Sequence, residues 1–190
     1  MAQEIHDDNT LRRTIDQSIT EEALQQISMD AEHPTQCTNL VFQKDWHKGV
    51  VGIVASRIIE SHYRPTIVLT ESNGLLTGSA RSVGSINLYD VLESCKEHLT
   101  QFGGHHYAAG LTMPKENLMA FRLAFNQEVK QRLNGAPLEA LQTIDLSIDL
   151  NDIQTVWNGK LPRIKKIIDA FEPFGPGNMK PVFCTKELFA

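Results

Sequence analysis

The sequence predicts an α/β fold in which a mixed β-sheet is flanked by helices. Between residues 37 and 135, short runs rich in β-branched side chains alternate with longer segments whose apolar residues follow helical spacing. Asn73-Gly74 separates two of the short runs, and this dipeptide between strands is a strong signal of a β-hairpin. A long helical pattern precedes the region and Pro137 marks its end, so we expect one sheet-containing domain with a segment on either side.

The first segment is predicted to be one amphipathic helix over residues 9 to about 29. No Gly or Pro interrupts it, and an apolar residue recurs at every fourth position: Leu11, Ile15, Ile19, Ala23 and Ile27. This stripe needs a cover, which is either the domain that follows or another part of the protein. We expect the helix to project from the sheet, and His33-Pro34 to end it, so that residues 1–36 form a connecting helix and linker.

The central segment, residues 37–136, is expected to hold the sheet. Its patterns predict the order strand, helix, strand, strand, helix, strand, helix, which is typical of a mixed sheet covered by helices. The expected strands are 38–43, 65–70, 75–81 and 108–113, and the expected helices are 50–61, 88–99 and a last one from Pro114 to Asn134.

The last segment, residues 137–190, has a different character. Alternating apolar residues predict a strand over 143–150, followed by a helix over 161–171 and a strand over 181–189. Two strands and one helix bury too little surface for an independent core. We therefore expect this segment to be the beginning of a second, incomplete domain that is less well packed than the first.

Composition excludes several classes of protein. No run of about 18 apolar residues indicates a membrane span, and the acidic, polar N-terminus does not resemble a secretory signal. Three scattered cysteines without a Cys-x-x-Cys pair argue against a zinc site and for reduced thiols, so a cytoplasmic location is expected. The net charge of −5 does not indicate a broad nucleic-acid-binding face, and a phosphate site would be a local pocket.

The run from Phe102 to Gly110 is the first candidate site. Gly103 and Gly104 leave backbone uncovered, so another group can approach closely, and His105 directly after them can point at that group. This is how a small polar or anionic contact site is built. The alternative is a tight turn whose histidine satisfies a buried carbonyl group.

Two further runs are candidates for binding an anion. Ser79, Arg81 and Ser82 stand at a predicted strand end, where a forked guanidinium and short hydroxyl donors suit a phosphate. His47 and Lys48 precede a predicted helix start, where free amides and the helix dipole attract anions. The alternatives are a surface arginine near a turn and an ordinary strand-to-helix crossover with a surface histidine.

Taken together and in this order, these runs resemble the RecJ family of bacterial single-strand-DNA-specific exonucleases, within the DHH phosphoesterase superfamily. The resemblance is carried by Trp46 to Arg57, Arg64-Pro65, Gly78 to Ser82, Phe102 to His105 and Ala108 to Gly110. The run Glu172 to Asn178 resembles the beginning of that family's oligonucleotide-binding fold. The resemblance therefore implies a DHH-associated domain over 37–136 and the truncated start of an oligonucleotide-binding domain over 137–190.

The sequence departs from the family in one informative respect. In the family, an Asp-His-His motif belongs to an N-terminal domain that binds the metal and hydrolyses the substrate, and no such motif occurs here. The resemblance implies that this DHH domain is a missing partner, that single-stranded DNA is the ligand, and that manganese or magnesium serves the full-length enzyme. We expect no metal to be bound by this chain, and the chain alone to be inactive as a nuclease.

The resemblance also implies roles for the candidate residues. Ser79 and Arg81 would hold a DNA phosphate at the 5′ end, while Gly103, Gly104 and His105 would approach the phosphate at the catalytic centre, with His105 contributing to catalysis. His47 and Ser82 are further candidates for contact. Trp46 is either a base-stacking platform or a core residue, and its sequence context favours the core.

The implied function is 5′-to-3′ digestion of single-stranded DNA in repair and recombination. One alternative is a DHH-family phosphodiesterase that acts on short oligonucleotides or cyclic dinucleotides. Another is a non-catalytic interaction module, in which the apolar stripe of residues 11–27 binds a partner helix.

Overall fold

The computed structural model describes residues 2–149, 151, 153, 156–157 and 161–185. The chain divides into two compact units, residues 1–140 and 141–190. The boundaries predicted from the sequence, after residues 36 and 136, remain predictions. No helix in the described part of the chain is long and apolar enough to cross a membrane.

The first unit is a five-stranded sheet with helices on both faces. The strand order is β1-β2-β3-β5-β4; β1 and β2 are parallel and the other pairs are antiparallel. The strands are β1 Asn39–Phe42, β2 Thr66–Ser72, β3 Leu75–Arg81, β4 Gln101–Gly104 and β5 Ala108–Met113. The helices are α1 Ala2–Met29, α2 Val51–Ser61, α3 Leu88–Ser94 and α4 Leu118–Leu133. The predicted mixed sheet flanked by helices is confirmed.

The hairpin between β2 and β3 follows the prediction from Asn73-Gly74. Both residues have positive φ, 53° and 78°, as a type I′ turn requires. The turn fixes the register, in which Ser72 pairs with Leu75 and Thr66 with Arg81. Because side chains alternate along a strand, this register decides which residues of β3 share a face.

The structure corrects the interpretation of Gly103-Gly104 as a turn. Both glycines lie in β4, an edge strand that pairs with β5, and the turn is formed by the three residues that follow, 105–107. Glycine is unfavourable in strands, so propensity argues against this strand, and the hydrogen-bond ladder offered by β5 overrides it. The predicted helix over 88–99 is also shorter, because α3 ends at Ser94 and a 3₁₀ turn, Lys96–His98, follows it.

One face of the sheet packs against α3 and α4. Leu76 and Ala80 of β3 point into this core, where Phe121 and Phe125 of α4 are completely buried. The other face packs against α2, whose Val54, Ala55 and Ile58 are completely buried and meet Val41 and Val68 of the sheet. Strand alternation thus divides the apolar residues between two cores.

Helix α1 does not project from the domain, contrary to the expectation from the sequence. Its second half packs against α2, and Ile19, Ala23 and Ile27 are buried there, whereas Leu11 in the first half is 61% exposed. The stripe is therefore covered by the following domain over its second half, because α2 is itself amphipathic and offers a complementary apolar face.

Two polar contacts join α1 to the rest of the domain. Buried Asp16 forms an ion pair with Arg57 of α2, with Oδ1 and Nη2 2.6 Å apart. Trp46, which is 5% exposed, donates from Nε1 to Glu22 Oε2 at 2.9 Å. Trp46 is thus a core residue fixed against α1, and it does not form a base-stacking platform.

The second unit contains only short elements. The described ones are β6 Leu146–Ser147, β7 Val156–Trp157, β8 Leu161–Pro162, α5 Arg163–Asp169 and β9 Phe183–Cys184, with β6 pairing β9 and β7 pairing β8. The predicted strands over 143–150 and 181–189 are therefore longer than the strands observed, and parts of both, Leu150 and residues 186–190, lie outside the described residues. Of the residues between 141 and 185 whose burial the structure describes, none is buried.

Candidate nucleic-acid interface

The candidate residues share the sheet face that packs against α2. Ser79 and Arg81 alternate with buried Ala80 on β3, so their side chains lie on the face opposite to α3 and α4. Ser79 pairs with Val68 on one side and with Gly110 on the other, and Gly110 pairs with Gly103. The register thus forms one row across the sheet: Val41, Val68, Ser79, Gly110 and Gly103.

The next row brings Arg81 and His105 to the same end of the sheet. Arg81 pairs with Ala108 of β5, and His105 N–H donates to Ala108 O at 2.8 Å. The two residues therefore flank Ala108, and their backbones are separated by two strand spacings, roughly 9.5 Å. Residues that are 24 positions apart in the sequence meet because β3, β5 and β4 are neighbours in the sheet.

The half of this face formed by β5 and β4 is open. Gly103 and Gly110 are exposed. A Cβ atom added at Gly103 would meet nothing within 4 Å, and one at Gly110 would meet only Gly78 O at 3.9 Å. Among the residues that the structure describes, no packing contact accounts for glycine at these two positions, and the bare backbone is accessible to an approaching group. We call the surface formed by Ser79, Arg81, Gly103, His105 and Gly110 the glycine face.

Gly104 has a different role from Gly103. Its φ of +152° is one that residues with a side chain rarely adopt, and an added Cβ atom would overlap Ala108 O and Ala109 Cα. Glycine is therefore required at this position by the close approach of β5. The conformation of Gly104 ends β4 and leads directly into His105.

Arg81 lies at the boundary between the covered and the open half of the face. Its Nη1 donates to Ser79 Oγ at 3.0 Å and to Ala80 O at 2.9 Å. None of the carboxylates in the described part of the chain forms an ion pair with it. Its guanidinium is thus held in place while its charge remains available to an anion.

Gly52 of α2 makes space for this guanidinium. A Cβ atom at Gly52 would lie 2.8 Å from Arg81 Nη2 and 3.1 Å from Ser79 Oγ. A side chain at residue 52 would therefore displace the Arg81 guanidinium from its present position. Sequence reasoning did not select Gly52 as a site residue; the only signal was a glycine inside an otherwise apolar helical run.

His105 is exposed at the edge of the glycine face. Its Nδ1 accepts from Tyr107 N–H at 3.3 Å, which favours the tautomer with the proton on Nε2. No protein group in the described residues bonds to Nε2. This nitrogen is therefore free to donate a hydrogen bond to a ligand.

The structure does not bring His47 and Ser82 into this arrangement. His47 lines a different groove, beside Trp46 and α1, and its Nδ1 accepts from Gly49 N–H at 3.1 Å. Ser82 Oγ donates to Ile86 O at 2.6 Å, so its hydroxyl proton is committed to the loop before α3. Direct contact of either residue with a ligand bound at Arg81 remains a prediction without support from this geometry.

The described residues do not fit a metal site. No group of three or more His, Cys, Asp or Glu side chains is clustered among them. Asp145, one of three acids close in sequence in the last segment, accepts from Val182 N–H at 2.8 Å, and Asp152 lies outside the described residues. Magnesium and manganese prefer clustered carboxylates, and the part of the chain that the structure describes does not present them.

Comparison with known proteins agrees with the resemblance seen in the motifs. The single-stranded-DNA-specific exonuclease RecJ of Bacillus subtilis is 33% identical over 183 residues, which is 95% of this chain and 22% of that protein. The crystal structure of RecJ from Thermus thermophilus in complex with Mg²⁺ matches with a TM-score of 0.69 at 28% identity, over 95% of this chain and 26% of that chain. Exonuclease RecJ bound to manganese matches with a TM-score of 0.59 at 30% identity, over 67% of this chain and 31% of that one.

The chain thus spans less than a third of each of these relatives. The family model described as the DHHA1 domain matches residues 35–131, which is about half of the chain and includes every residue of the glycine face. The resemblance to RecJ is confirmed, and the chain belongs to the DHHA1 domain family.

Proposed function

We propose that this chain is the phosphate-contacting part of a RecJ-like exonuclease that digests single-stranded DNA from the 5′ end, in the cytoplasm, during DNA repair and recombination. The observation that carries the proposal is the juxtaposition of the Arg81 guanidinium, which has no carboxylate partner among the described residues, with the bare backbone of Gly103 and Gly110. A cation beside uncovered backbone suits a ligand that is both anionic and extended.

Ser79 and Arg81 bind the 5′ phosphate in this proposal. Ser79 Oγ already accepts a hydrogen bond from Arg81 Nη1, so its own proton is free to be donated to a phosphate oxygen. The remaining guanidinium N–H groups add charge-assisted hydrogen bonds. The two side chains therefore present donors to the same phosphate group.

His105 then lies one nucleotide further along the bound DNA single strand. It is separated from Arg81 by two strand spacings, roughly 9.5 Å between backbones, so a phosphate next to the terminal one comes within its reach. The absence of a side chain at Gly103 lets that phosphate approach the backbone, and Gly104 sets the backbone course that leads into His105. Nε2–H of His105 stabilises negative charge that develops on this phosphate during hydrolysis.

The hydrolytic chemistry belongs to a partner in this proposal. Hydrolysis of a phosphodiester uses metal-activated water, and Mg²⁺ or Mn²⁺, the metals named for the two RecJ crystal structures, would supply it. The described residues offer no carboxylate cluster to hold such an ion. In this proposal an N-terminal DHH domain, which the resemblance implies, holds the ion and would close over the glycine face.

The first test compares affinity for single strands with a 5′ phosphate and with a 5′ hydroxyl. Arg81→Ala should weaken binding of the phosphorylated strand by about 1.5–3 kcal/mol, the range for a hydrogen bond to a charged group. It should leave binding of the hydroxyl strand almost unchanged. Arg13→Ala, which removes an exposed arginine from α1, is the matched control. If Arg81→Ala lost equal affinity for the phosphate strand and the hydroxyl strand, or lost none for either, the assignment of the 5′ phosphate to Arg81 would be contradicted.

The second test concerns catalysis. The chain alone should bind single strands weakly, and its affinity should fall further as salt is added. It should release no mononucleotides in the presence of manganese. In a protein that also contains the DHH domain, His105→Ala should lower turnover more than affinity, because its contact strengthens as charge develops. Metal-dependent release of mononucleotides by the chain alone, abolished by His105→Ala, would show that the catalytic centre lies within it.

A further inference from the structure

A groove continues the glycine face away from Arg81 and His105. Its floor is the row that contains Thr77 of β3, Thr112 of β5 and Gln101 of β4, which pair across the three strands. The groove has a volume of about 380 Å³, and Gly103 and Gly110 form its border with the row of Ser79. None of the roles assigned so far uses these side chains.

Lys48 forms one wall of this groove. The loop that carries it is held against β2 by Thr70, whose Oγ1 lies 3.1 Å from Lys44 O and 2.7 Å from Trp46 O. Thr70 pairs with Thr77, so the loop crosses the sheet at the level of the groove floor. Lys48 is exposed and forms no ion pair with the described residues. The course of the backbone therefore places Lys48 at the groove, and no described side chain pairs with its ammonium group.

The lining of the groove fits an anion. It contains one charged side chain, the ammonium of Lys48, together with the hydroxyls of Thr77 and Thr112 and the amide of Gln101, and no carboxylate. The two threonine hydroxyls lie 3.4 Å apart, a long contact that an incoming acceptor can replace. Asp45, the nearest acid in the same loop, lines the separate groove beside α1.

The spacing of the rows identifies the kind of anion. Successive rows on one sheet face are separated by two residues, roughly 6.6–6.8 Å. The row of Thr77, which lies beside Lys48, is therefore two such steps, roughly 13 Å, from the row of Arg81 and His105. A ligand that occupies both ends must be extended and carry negative charge at intervals, as the sugar-phosphate backbone of a single strand does.

We propose that Lys48, Thr77, Gln101 and Thr112 bind an internal phosphate of the single strand, the third or fourth from the 5′ end. The strand crosses the sheet from Arg81 to His105 and then follows β4 and β5 over the bare backbone of Gly103 and Gly110. This assignment rests on the proposed function for the position of the 5′ end, and it defines the length of strand that the chain recognises.

The experiment is a titration of the ¹⁵N-labelled 190-residue chain, followed by NMR, with 5′-phosphorylated oligothymidylates of one, two, four and six nucleotides. The mononucleotide should shift the amide signals of Ser79 and Arg81 and leave those of Thr77, Gln101 and Thr112 in place. Four and six nucleotides should shift both groups of signals and bind more tightly than two nucleotides do.

Lys48→Met should remove this gain in affinity, a loss of about threefold to tenfold for six nucleotides, as expected for one exposed charge-assisted contact. Affinity for the mononucleotide should be unchanged. The slope of log affinity against log salt should fall by about 0.7, the change expected when one contact to a single-strand phosphate is lost. Lys44→Met is the matched control, since it removes an exposed lysine from the same loop outside the groove.

Two failures can be told apart. If Lys48→Met binds six nucleotides as the parent does while Arg81→Ala loses affinity at every length, the groove assignment is wrong and the proposed function stands. If Arg81→Ala also binds every length as the parent does, the proposed function is wrong, and the groove assignment falls with it.

Discussion

Two halves of the same sheet face serve opposite purposes in this chain. In the row that crosses the sheet at Ser79, the β1 and β2 positions are Val41 and Val68, which are 4% and 0% exposed beneath α2. The β5 and β4 positions of the same row are Gly110 and Gly103, which are exposed. In this row, one half is filled with β-branched side chains that pack against a helix, and the other half has no side chains.

If the proposed function holds, the comparison explains how a sheet binds a ligand beside its own core. Arg81 lies on β3, where covered and open halves meet, and it is positioned from the covered side by contact with Gly52 of α2. The rigidity of the site therefore derives from the packing of α1 and α2, while its accessibility derives from the glycines. Substitutions in the two halves should accordingly separate stability from binding.

The largest expected effect is on the covered half. Ile58→Ala removes a completely buried side chain of α2 and should lower the free energy of unfolding by about 2–5 kcal/mol, because it leaves a cavity against the sheet. Chemical denaturation measures the loss. A loss below about 0.5 kcal/mol would mean that α2 is not packed on the sheet as described, since only surface substitutions are that small.

The next effect concerns the glycine that the fold itself requires. Gly104→Ala should lower the free energy of unfolding by about 1–3 kcal/mol, because alanine at this φ is strained and its Cβ atom overlaps β5. Thermal and chemical denaturation measure this loss of stability. Unchanged stability would show that β4 does not approach β5 in this way.

A smaller effect on stability comes from His62. Its backbone carbonyl accepts a hydrogen bond from Asn39 of β1, at the covered end of the row of Arg81. Partial burial, together with the nearby His33 and Arg64, lowers the pKa of His62 below its usual value of 6.5. The unfolded chain therefore binds a proton at this residue at a higher pH than the folded chain does, and stability falls as the pH drops through and below 6.5. His62→Asn should reduce this loss, which is measured as the difference in unfolding free energy between pH 8 and pH 5. An identical pH dependence of the unfolding free energy in parent and variant would contradict this role of His62.

The smallest expected effect on stability is at Gly103, in the open half. Gly103→Ala places a methyl group where no atom lies within 4 Å, so the free energy of unfolding should change by less than about 0.5 kcal/mol. It differs from Gly104→Ala by only one position, which makes the pair a matched comparison. A loss as large as that of Gly104→Ala would show that both glycines serve the fold and would weaken the case for a ligand.

Much of this arrangement can be predicted from local sequence. Asn73-Gly74 specifies the hairpin turn, and strand alternation alone places Ser79 and Arg81 on one face. The Gly-Gly-His run predicts uncovered backbone, and Gly103 is exposed with no atom within 4 Å of an added Cβ atom, while its contact with a ligand stays a prediction. The strand β4 could not be predicted, because glycine has low strand propensity and the pairing partner is supplied by the tertiary fold.

Other features depend on contacts between residues that are distant in sequence. The packing of α1 depends on the apolar face of α2, and the contact of Gly52 with Arg81 depends on how that helix crosses the sheet. The same is true of Lys48. The sequence indicates it, with His47, as a possible anion contact before a helix, but does not show that it lines the groove, where its loop is anchored on Thr70. Helical periodicity and short motifs contain no information about such crossings.

The central claim is that the open half of this face binds the single strand, and Gly110→Leu tests it most directly. The added side chain would stand in open space at the centre of the glycine face, opposite Ser79, so the fold should be retained and the stability should be equal or slightly higher. Affinity for a 5′-phosphorylated tetranucleotide should fall about tenfold or more, equivalent to about 1.4 kcal/mol, because the side chain occupies the path of the strand. A folded Gly110→Leu chain that binds the tetranucleotide as tightly as the parent would contradict the claim and place the binding surface elsewhere.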